Sequence, residues 1–573
     1  MNDLTLRNVL SLITTFVAGQ RMWQIDLPDH PHHGAIYNQD WGTAEPKVTG
    51  KFLINCGYLA LNDALPDTHL LEQAALAADY LLRSRRPSGL IDLISVNIDS
   101  GPDTAFTVQE LCTILELARQ RVVQHPAWEV FIQKVTQFVR QSVSAMASGG
   151  FHTPNHRWVI VGALTQAHRL FPDLEVQEAV ERYLAEGIDI DAEGLFIERS
   201  IGVYDAVNDR SLLLIHENWD CPAALPAVQR NLETDLHLLH ADGSAETGLS
   251  RRQDYGTRQV ALGLVPYLLW HHHFQADSRF LQAAHWLWQQ AMLDRKTPSV
   301  DHETHIHWLA YVLMKYGDSS ALPQESKLTA TENGIPDNFV RHLPINGIHR
   351  VRRGLRCATF FRDTTRILTL SHGQAELSSL KISQTYFGQY IGRFVGNQMT
   401  LEGNQLILRS EGRSNPRRPA YELPLGRPVL PDQWQSTMSE RELRWLPHAV
   451  NTLTVGEVES GFDLRLQTLE GADQVALQIA LDFPPGGIWE TADTRTMPQA
   501  GQVIFLKQGV GTMRFGPDVI ELSPGHLTHG MWQMREAESA PDHVRVLLTF
   551  FTPVDFTLSL RSYSGPTTLL NRG

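Results

Sequence analysis

Cysteine is scarce and scattered. Only Cys56, Cys112, Cys221 and Cys357 occur, with no CxxC pair and no spacing that suits zinc. That excludes a disulfide framework and a cysteine-built metal centre, and four buried free thiols, as in a reducing compartment, are the expectation. Positive charge is also short: the formal net charge is −14 with histidine neutral. Such a balance weighs against nucleic acid or an acidic membrane surface as the main partner. It does not exclude a small anionic substrate, because a local pocket of Arg and His can be basic on an acidic protein. No apolar run reaches the length of about 18 residues that a membrane span needs. The start, from Met1 to Ile13, lacks a basic n-region, and Arg21 and Asp26 soon break its apolar pattern. It reads as an amphipathic helix and not as a secretory leader, so a cytoplasmic location is the default expectation; periplasm or secretion is the alternative if the chain has been shortened at its start. No repeat of fixed length occurs, which argues against a regular solenoid.

What is present points to a folded protein of more than one domain. A chain of 573 residues is too long for one hydrophobic core, so two or three domains are expected. Histidine and tryptophan are abundant, at 25 and 13 residues. Tryptophan faces stack on sugar rings, which leans toward carbohydrate, although each one can equally fill a core.

From Leu4 to about Gly317 the apolar period is helical. Candidate helices are Leu4–Gln20, Lys51–Leu61, His69–Arg85, Ala105–Arg121, Ala127–Ala147, Arg157–Phe171, Val176–Glu186, Asp209–Trp219, Ala224–His240, Gln259–Gln275, Ser278–Met292 and His302–Tyr316. A single short strand-like run, Leu90–Val96, argues against β/α alternation and leaves a bundle or an α/α toroid. Near Asn333-Gly334-Ile335-Pro336 the character changes to short, alternating, β-branched segments. Turns such as Glu402-Gly403-Asn404 and Glu459-Ser460-Gly461 divide them as hairpins. The expected organisation is a multidomain α + β chain, helical over residues 1–325 and an antiparallel β-sandwich over 326–573.

The densest chemistry lies between Gly149 and Arg210. Asn155, His156 and Arg157 follow Pro154 at a helix N-terminus, where backbone N–H groups favour anions; Asn155 is equally an ordinary N-cap. Tyr204 follows the glycine-marked turn Ser200-Ile201-Gly202, flanked in sequence by Arg199 and Arg210. A cation close to a phenol stabilises its phenolate, whereas a loop tyrosine with a hydrated hydroxyl is the plain alternative. Amide, imidazole and phenol together suit proton abstraction beside a carboxylate. Further candidates are the Arg-rich segment Glu246–Arg258, with Tyr255 and Arg258 able to hold a carboxylate, and the loop before Asp103, which is equally a helix N-cap. His372 ends a strand at a glycine turn. His526 and His529 sit three apart, which on a strand puts them on opposite faces and makes a metal site weak. The run His271-His272-His273 ends an apolar helix and reads as a charged C-terminal cap.

The pattern resembles the heparinase II/III-like and alginate-lyase-like polysaccharide lyases. The resemblance rests on Asn155 and His156, on Tyr204 within Glu198-Arg199-Ser200-Ile201-Gly202-Val203-Tyr204, and on His372. It implies an incomplete α/α toroid followed by an antiparallel β-sandwich, and a catalytic set of Asn155, His156, Tyr204 and His372. Arg157, Arg199, Arg210, Tyr255, Arg258 and Asp103 are the substrate-binding candidates. The Asn-His-Arg variant is similar to the lyases that cut rhamnose–glucuronate linkages. The resemblance firmly implies no cofactor and leaves room for a structural divalent metal; the implied partner is an acidic polysaccharide or oligosaccharide. The expected reaction is β-elimination at a uronic acid, with glucuronate the expected sugar. Asn155, with an Arg such as Arg258, would neutralise the C6 carboxylate. His156 or Tyr204 would take the C5 proton, and Tyr204 would protonate the leaving O4; His372 is an alternative base. Two rivals stand beside this. A glycoside hydrolase on the same scaffold would need two carboxylic acids, from Asp40, Asp103, Glu198 and Asp205. A carbohydrate-binding protein would need none.

Overall fold

Two kinds of helix alternate along the first part of the chain, and burial separates them. The computed structural model describes residues 3–293, 302–317, 333–386, 390–412, 420–445, 448–526, 528 and 538–565. Among them are twelve α-helices: α1 Leu6–Arg21, α2 Pro46–Ala60, α3 Leu70–Arg83, α4 Gly101–Ala118, α5 Trp128–Ser148, α6 Pro154–Leu170, α7 Gln177–Leu184, α8 Tyr204–Asn218, α9 Ala224–His237, α10 Val265–Phe274, α11 Ser278–Leu293 and α12 Glu303–Tyr316. The even-numbered helices are buried nearly all round, as α4 is from Gly101 to Leu117 with few breaks. Most odd-numbered ones bury a single stripe, as α5 does with Phe131, Val135, Phe138, Val139, Ser142, Val143 and Met146. A helix apolar all round belongs inside and an amphipathic one outside.

The packing follows that division. Helix α2 touches α4, α4 touches α6, α6 touches α8, α8 touches α10, α10 touches α12, and α12 touches α2 again. The odd helices lie against this inner ring, which makes the unit an α/α toroid. Going out along one helix and back along the next brings the N-termini of the inner helices to one rim. Many of the tryptophans are core filler here: Trp158, Trp270, Trp288 and Trp308 are fully buried.

Each expected helix is present, with one shift that matters. Helix α8 starts at Tyr204, not Asp209, because the Ser200 carbonyl accepts from the N–H groups of Tyr204 and Asp205 at 3.0 Å each. Tyr204 therefore sits on a helix end and not in a loop. Asp103 is not an N-cap; Ser100 is, accepting from the Asp103 N–H at 3.2 Å. The run Leu90–Val96 resolves into a small hairpin, Ile91–Leu93 against Asn97–Ser100. The four cysteines are free, but Cys221 is only half-buried. His271 is no charged cap: burial pushes its imidazole down to about 4.

The chain divides into Met1–Pro336 and Asp337–Gly573; the expected boundary at 325 lies outside the described residues. The second unit holds two large sheets. One runs in the order Val503–Phe505, Val544–Phe551, Ala476–Phe483, Ala375–Tyr386, Leu368–His372, Arg356–Phe361, Ile348–Arg353 and Asn338–Leu343. The other centres on Ala449–Val458, Gly461–Gly471 and Asp555–Ser564. Pairing is antiparallel except that Val503–Phe505 runs parallel to Val544–Phe551. The inner faces meet in one apolar core, with Leu368, Leu380, Leu477 and Val546 from the first sheet and Leu453, Leu464, Leu522 and Leu560 from the second. That is a β-sandwich. Both glycine turns close hairpins, pairing Glu402 with Gln405 and Val458 with Gly461.

Candidate active site

The first turns of the inner helices carry the candidate residues. Lys47 opens α2, Asp103 lies in the first turn of α4, Asn155 and His156 in that of α6, and Tyr204 begins α8. Positive helix-dipole ends on one rim favour an anion there.

Tyr204 is aimed by the turn before it. Arg199 and Gly202 have φ of 52° and 82°. A Cβ on Gly263, which precedes α10, would fall 2.4 Å from the Gly202 carbonyl oxygen, so this close approach requires glycine. The Gln253 amide donates to the Tyr204 hydroxyl at 2.6 Å. The Arg252 guanidinium lies 4.4 Å from the Tyr204 ring centroid. Arg252 also faces Glu198, with Nη1 3.6 Å from Oε1.

Glu198 links this tyrosine to Asn155. The buried Asn155 amide donates to both carboxyl oxygens of Glu198, at 2.7 and 2.9 Å, while its own Oδ1 meets no partner among the described residues. Burial pushes the Glu198 carboxyl above its ordinary value, against the pull of Asn155 and Arg252. Asn155, Glu198, Arg252 and Tyr204 thus form one connected line. Asn155 is not the cap of α6; Thr153 occupies that position.

His156 sits on the other flank. Its ring meets Phe106 edge-on at 6.1 Å and His152 at 4.6 Å, and its Nδ1 has no partner among the described residues. Burial, then the nearby His152, push its pKa down to about 4. The imidazole is therefore neutral at physiological pH, able to accept a proton but a weak base. An NMR titration should show the His156 ring unprotonated down to about pH 4; a midpoint near 6.5 would contradict this environment.

Asp103 is held by Asn97 Nδ2 at 2.8 Å, Ser100 Oγ at 2.6 Å and Lys47 Nζ at 3.3 Å. Burial alone would raise its carboxyl, but Lys47 and these donors outweigh it and hold the group below its ordinary value.

The remaining candidates are placed elsewhere or engaged. Arg157 pairs with Glu186 at 2.8 Å and Asp189 at 2.9 Å. Arg258 binds Asp242 at 3.0 Å and the Ser244 hydroxyl at 2.9 Å. Arg199 is half-buried and Tyr255 is exposed. Arg210 is buried between Phe106 and Trp308, with centroid distances of 5.3 and 5.1 Å. His372 belongs to the second unit, where Nε2 meets Ser564 Oγ at 3.2 Å and burial lowers its pKa. His526 Nδ1 meets the Thr549 carbonyl at 2.9 Å, and His529 lies outside the described residues. Among the described residues no group of three or more His, Cys, Asp or Glu is arranged to hold a metal ion, and no helix is long and apolar enough to cross a membrane.

The sequence does not single out Arg252, Gln253 or Lys47, and it offers Glu198 as a hydrolase acid and as the first residue of the segment that ends at Tyr204. Arg252 and Gln253 lie inside the Arg-rich segment Glu246–Arg258, whereas Lys47 carries no local signal.

No family model matches the chain, and no curated protein matches it. Among solved structures it is similar to one described as heparinase III, with a TM-score of 0.54 and 10% identity over 93% of this chain and 81% of that one. It is also similar to the chondroitin AC lyase of Streptomyces coelicolor A3 solved with chondroitin sulphate, with a TM-score of 0.52 and 11% identity over 98% and 80% of the two chains. Likeness at such identity is one of fold: a helical toroid followed by a β-sandwich.

Proposed function

We propose that this chain is a lyase acting on acidic polysaccharides or oligosaccharides, cleaving the bond to a uronic acid, with glucuronate the expected sugar, by β-elimination. One observation carries the reading: a tyrosine, a buried amide and a neutral imidazole stand in the first turns of neighbouring inner helices, with a guanidinium on the tyrosine ring. The C5 proton of a uronate is weakly acidic while its C6 carboxylate is charged. Asn155 and Arg252 would take that carboxylate and stabilise the enolate-like intermediate, Asn155 turning an N–H from Glu198 to do so. Tyr204 or His156 takes the C5 proton as the C4–O4 bond breaks, and Tyr204 returns a proton to O4. The products are a free hydroxyl and a sugar with a C4=C5 double bond conjugated to its carboxylate, and no water is consumed. Likeness to heparinase III and chondroitin AC lyase adds support at the level of fold.

A panel of uronate-containing polymers and oligosaccharides should include one from which the chain generates the ultraviolet absorbance of that conjugated double bond. Saturated products carrying oxygen from labelled water would sink the reading. They are what the second reading, a glycoside hydrolase, requires. That reading has one observation of its own: the environments of Glu198 and Asp103 push the two carboxyls in opposite directions, as an acid and a base would need.

A further inference from the structure

Below Tyr204 the toroid encloses a second feature that none of Asn155, Glu198 and Arg252 lines. It is a cavity of about 210 Å³, bordered by Tyr204, Arg210, Lys47, Lys51, Glu110 and His305 among others. Three cations on its wall are unusual for a protein of net charge −14. Two of them have counter-ions: Lys47 pairs with Asp103 at 3.3 Å and Lys51 with Glu303 at 3.7 Å. Glu110 pairs with His307 at 3.4 Å. Arg210 differs. It is 2% exposed, and among the described residues it forms no ion pair and its Nε and Nη2 meet no acceptor. Nε and Nη2 form one edge of the guanidinium fork, the edge that grips a carboxylate or sulfate through two parallel bonds. The faces of Phe106 and Trp308 offset part of the cost of burying that charge, and Tyr267 and, at longer range, Glu110 interact with it, but a buried cation with no carboxylate at ion-pair distance among the described residues stays costly. His305 adds no charge, since burial pushes its pKa down to about 3, and its Nδ1 is also without a partner.

We propose that this cavity is an anion subsite that takes a compact acidic group of the substrate, a carboxylate or a sulfate ester, with Arg210 as its counter-ion. It rests on the lyase reading for the identity of the substrate, and it is a second anion site beside the one at Asn155 and Arg252. The volume lies below the ~300–1,000 Å³ of pockets that take a whole drug-sized ligand, which suits one substituent and not an oligosaccharide. The lining of Tyr204 ties occupancy of the cavity to the reacting end of the substrate.

Direct binding to the full chain tests this without turnover. Calorimetric titrations would use glucuronate, glucose 6-sulfate and glucose. The first two arms separate carboxylate from sulfate, and glucose is the neutral control. At least one acidic sugar should bind more tightly than glucose. Arg210→Lys should weaken it about tenfold and Lys51→Gln a few-fold, with glucose unchanged. Lys51 is half-buried, and Glu303 keeps its bonds from Gln20 and Asn55, so Lys51→Gln decides the matter if Arg210→Lys fails to fold. Equal binding of acidic and neutral sugars, or variants that bind the acidic sugar as the wild type does, overturns the subsite. Intact acid-selective binding with no unsaturated product from any uronate polymer overturns the lyase reading and leaves the subsite standing.

Discussion

Tyr204→Phe is expected to lower kcat/KM for β-elimination by about a thousandfold while leaving the melting temperature unchanged. The substitution removes one oxygen. The ring that carries the Arg252 guanidinium at 4.4 Å remains, and so does the Ser200 turn that starts α8. The lost bond from Gln253 involves an exposed side chain, so little stability goes with it. What disappears is the group that can return a proton to O4. A positioned acid or base contributes roughly 10²–10⁴ in rate, and a residue serving both halves of an elimination stands at the upper end. His156→Ala separates two mechanisms. If the neutral imidazole takes the C5 proton, kcat should fall as far as in Tyr204→Phe; if it only positions the sugar, KM should rise with kcat largely kept. Activity of Tyr204→Phe within tenfold of the wild type would remove Tyr204 from the chemistry.

Much of the fold was legible because burial and period agree. The inner and outer helices differ in how much of their circumference is apolar, and both patterns lie in the sequence. Where a local device replaces the pattern, the reading slips. Tyr204 to Asn208 looked like loop because the polar residues Asp205, Asn208 and Asp209 are buried inside the ring, against the usual alternation. The strand Ala375–Tyr386 shows no clean alternation in sequence for another reason. Its pairing with Leu368–His372 shifts register, so Leu370 faces Leu377 while Leu368 faces Leu380. The extra residue breaks the period of two on which strand reading depends.

The site was legible in its motif and not in its partners. Asn155, His156 and Arg157 are consecutive, but successive helical residues point about 100° apart, and Arg157 turns to Glu186 and Asp189. Among Arg251, Arg252 and Arg258, sequence gives no means of choosing; Arg252 lies on the tyrosine, and Arg258 is bound to Asp242. Lys47 comes within 3.3 Å of Asp103 from another helix, 56 positions away, a meeting that the packing of α2 against α4 produces.

The same buried face should make the toroid lose stability as pH rises from about 4 to 8. Asp205 and Asp209 on α8 and Asp235 on α9 are all 0% exposed; Asn231 and the Ser200 backbone pull on Asp205, while the carboxyl oxygens of Asp209 and Asp235 meet no hydrogen-bond partner among the described residues. Burial, and then the charge of Glu198, push Asp205 up to about 8; burial and their mutual proximity raise the other two as well. A carboxyl with a raised folded-state pKa is protonated in the folded chain and ionised in the unfolded one between about pH 4 and that value. The folded state then binds more protons, so stability falls as pH rises through this window. An asparagine at the position cannot ionise. Asp205→Asn should therefore match the wild type near pH 4 and exceed it in unfolding free energy by a margin that widens as pH rises to 7, at most ~1.36 kcal/mol per pH unit. Urea unfolding at pH 4.5, 6, 7 and 8 would measure it, with Asp235→Asn as a companion farther from Tyr204. Parallel stability curves for wild type and variants across that range would mean that the three carboxyls are ionised within the fold, and that a cation or donor neutralises them there.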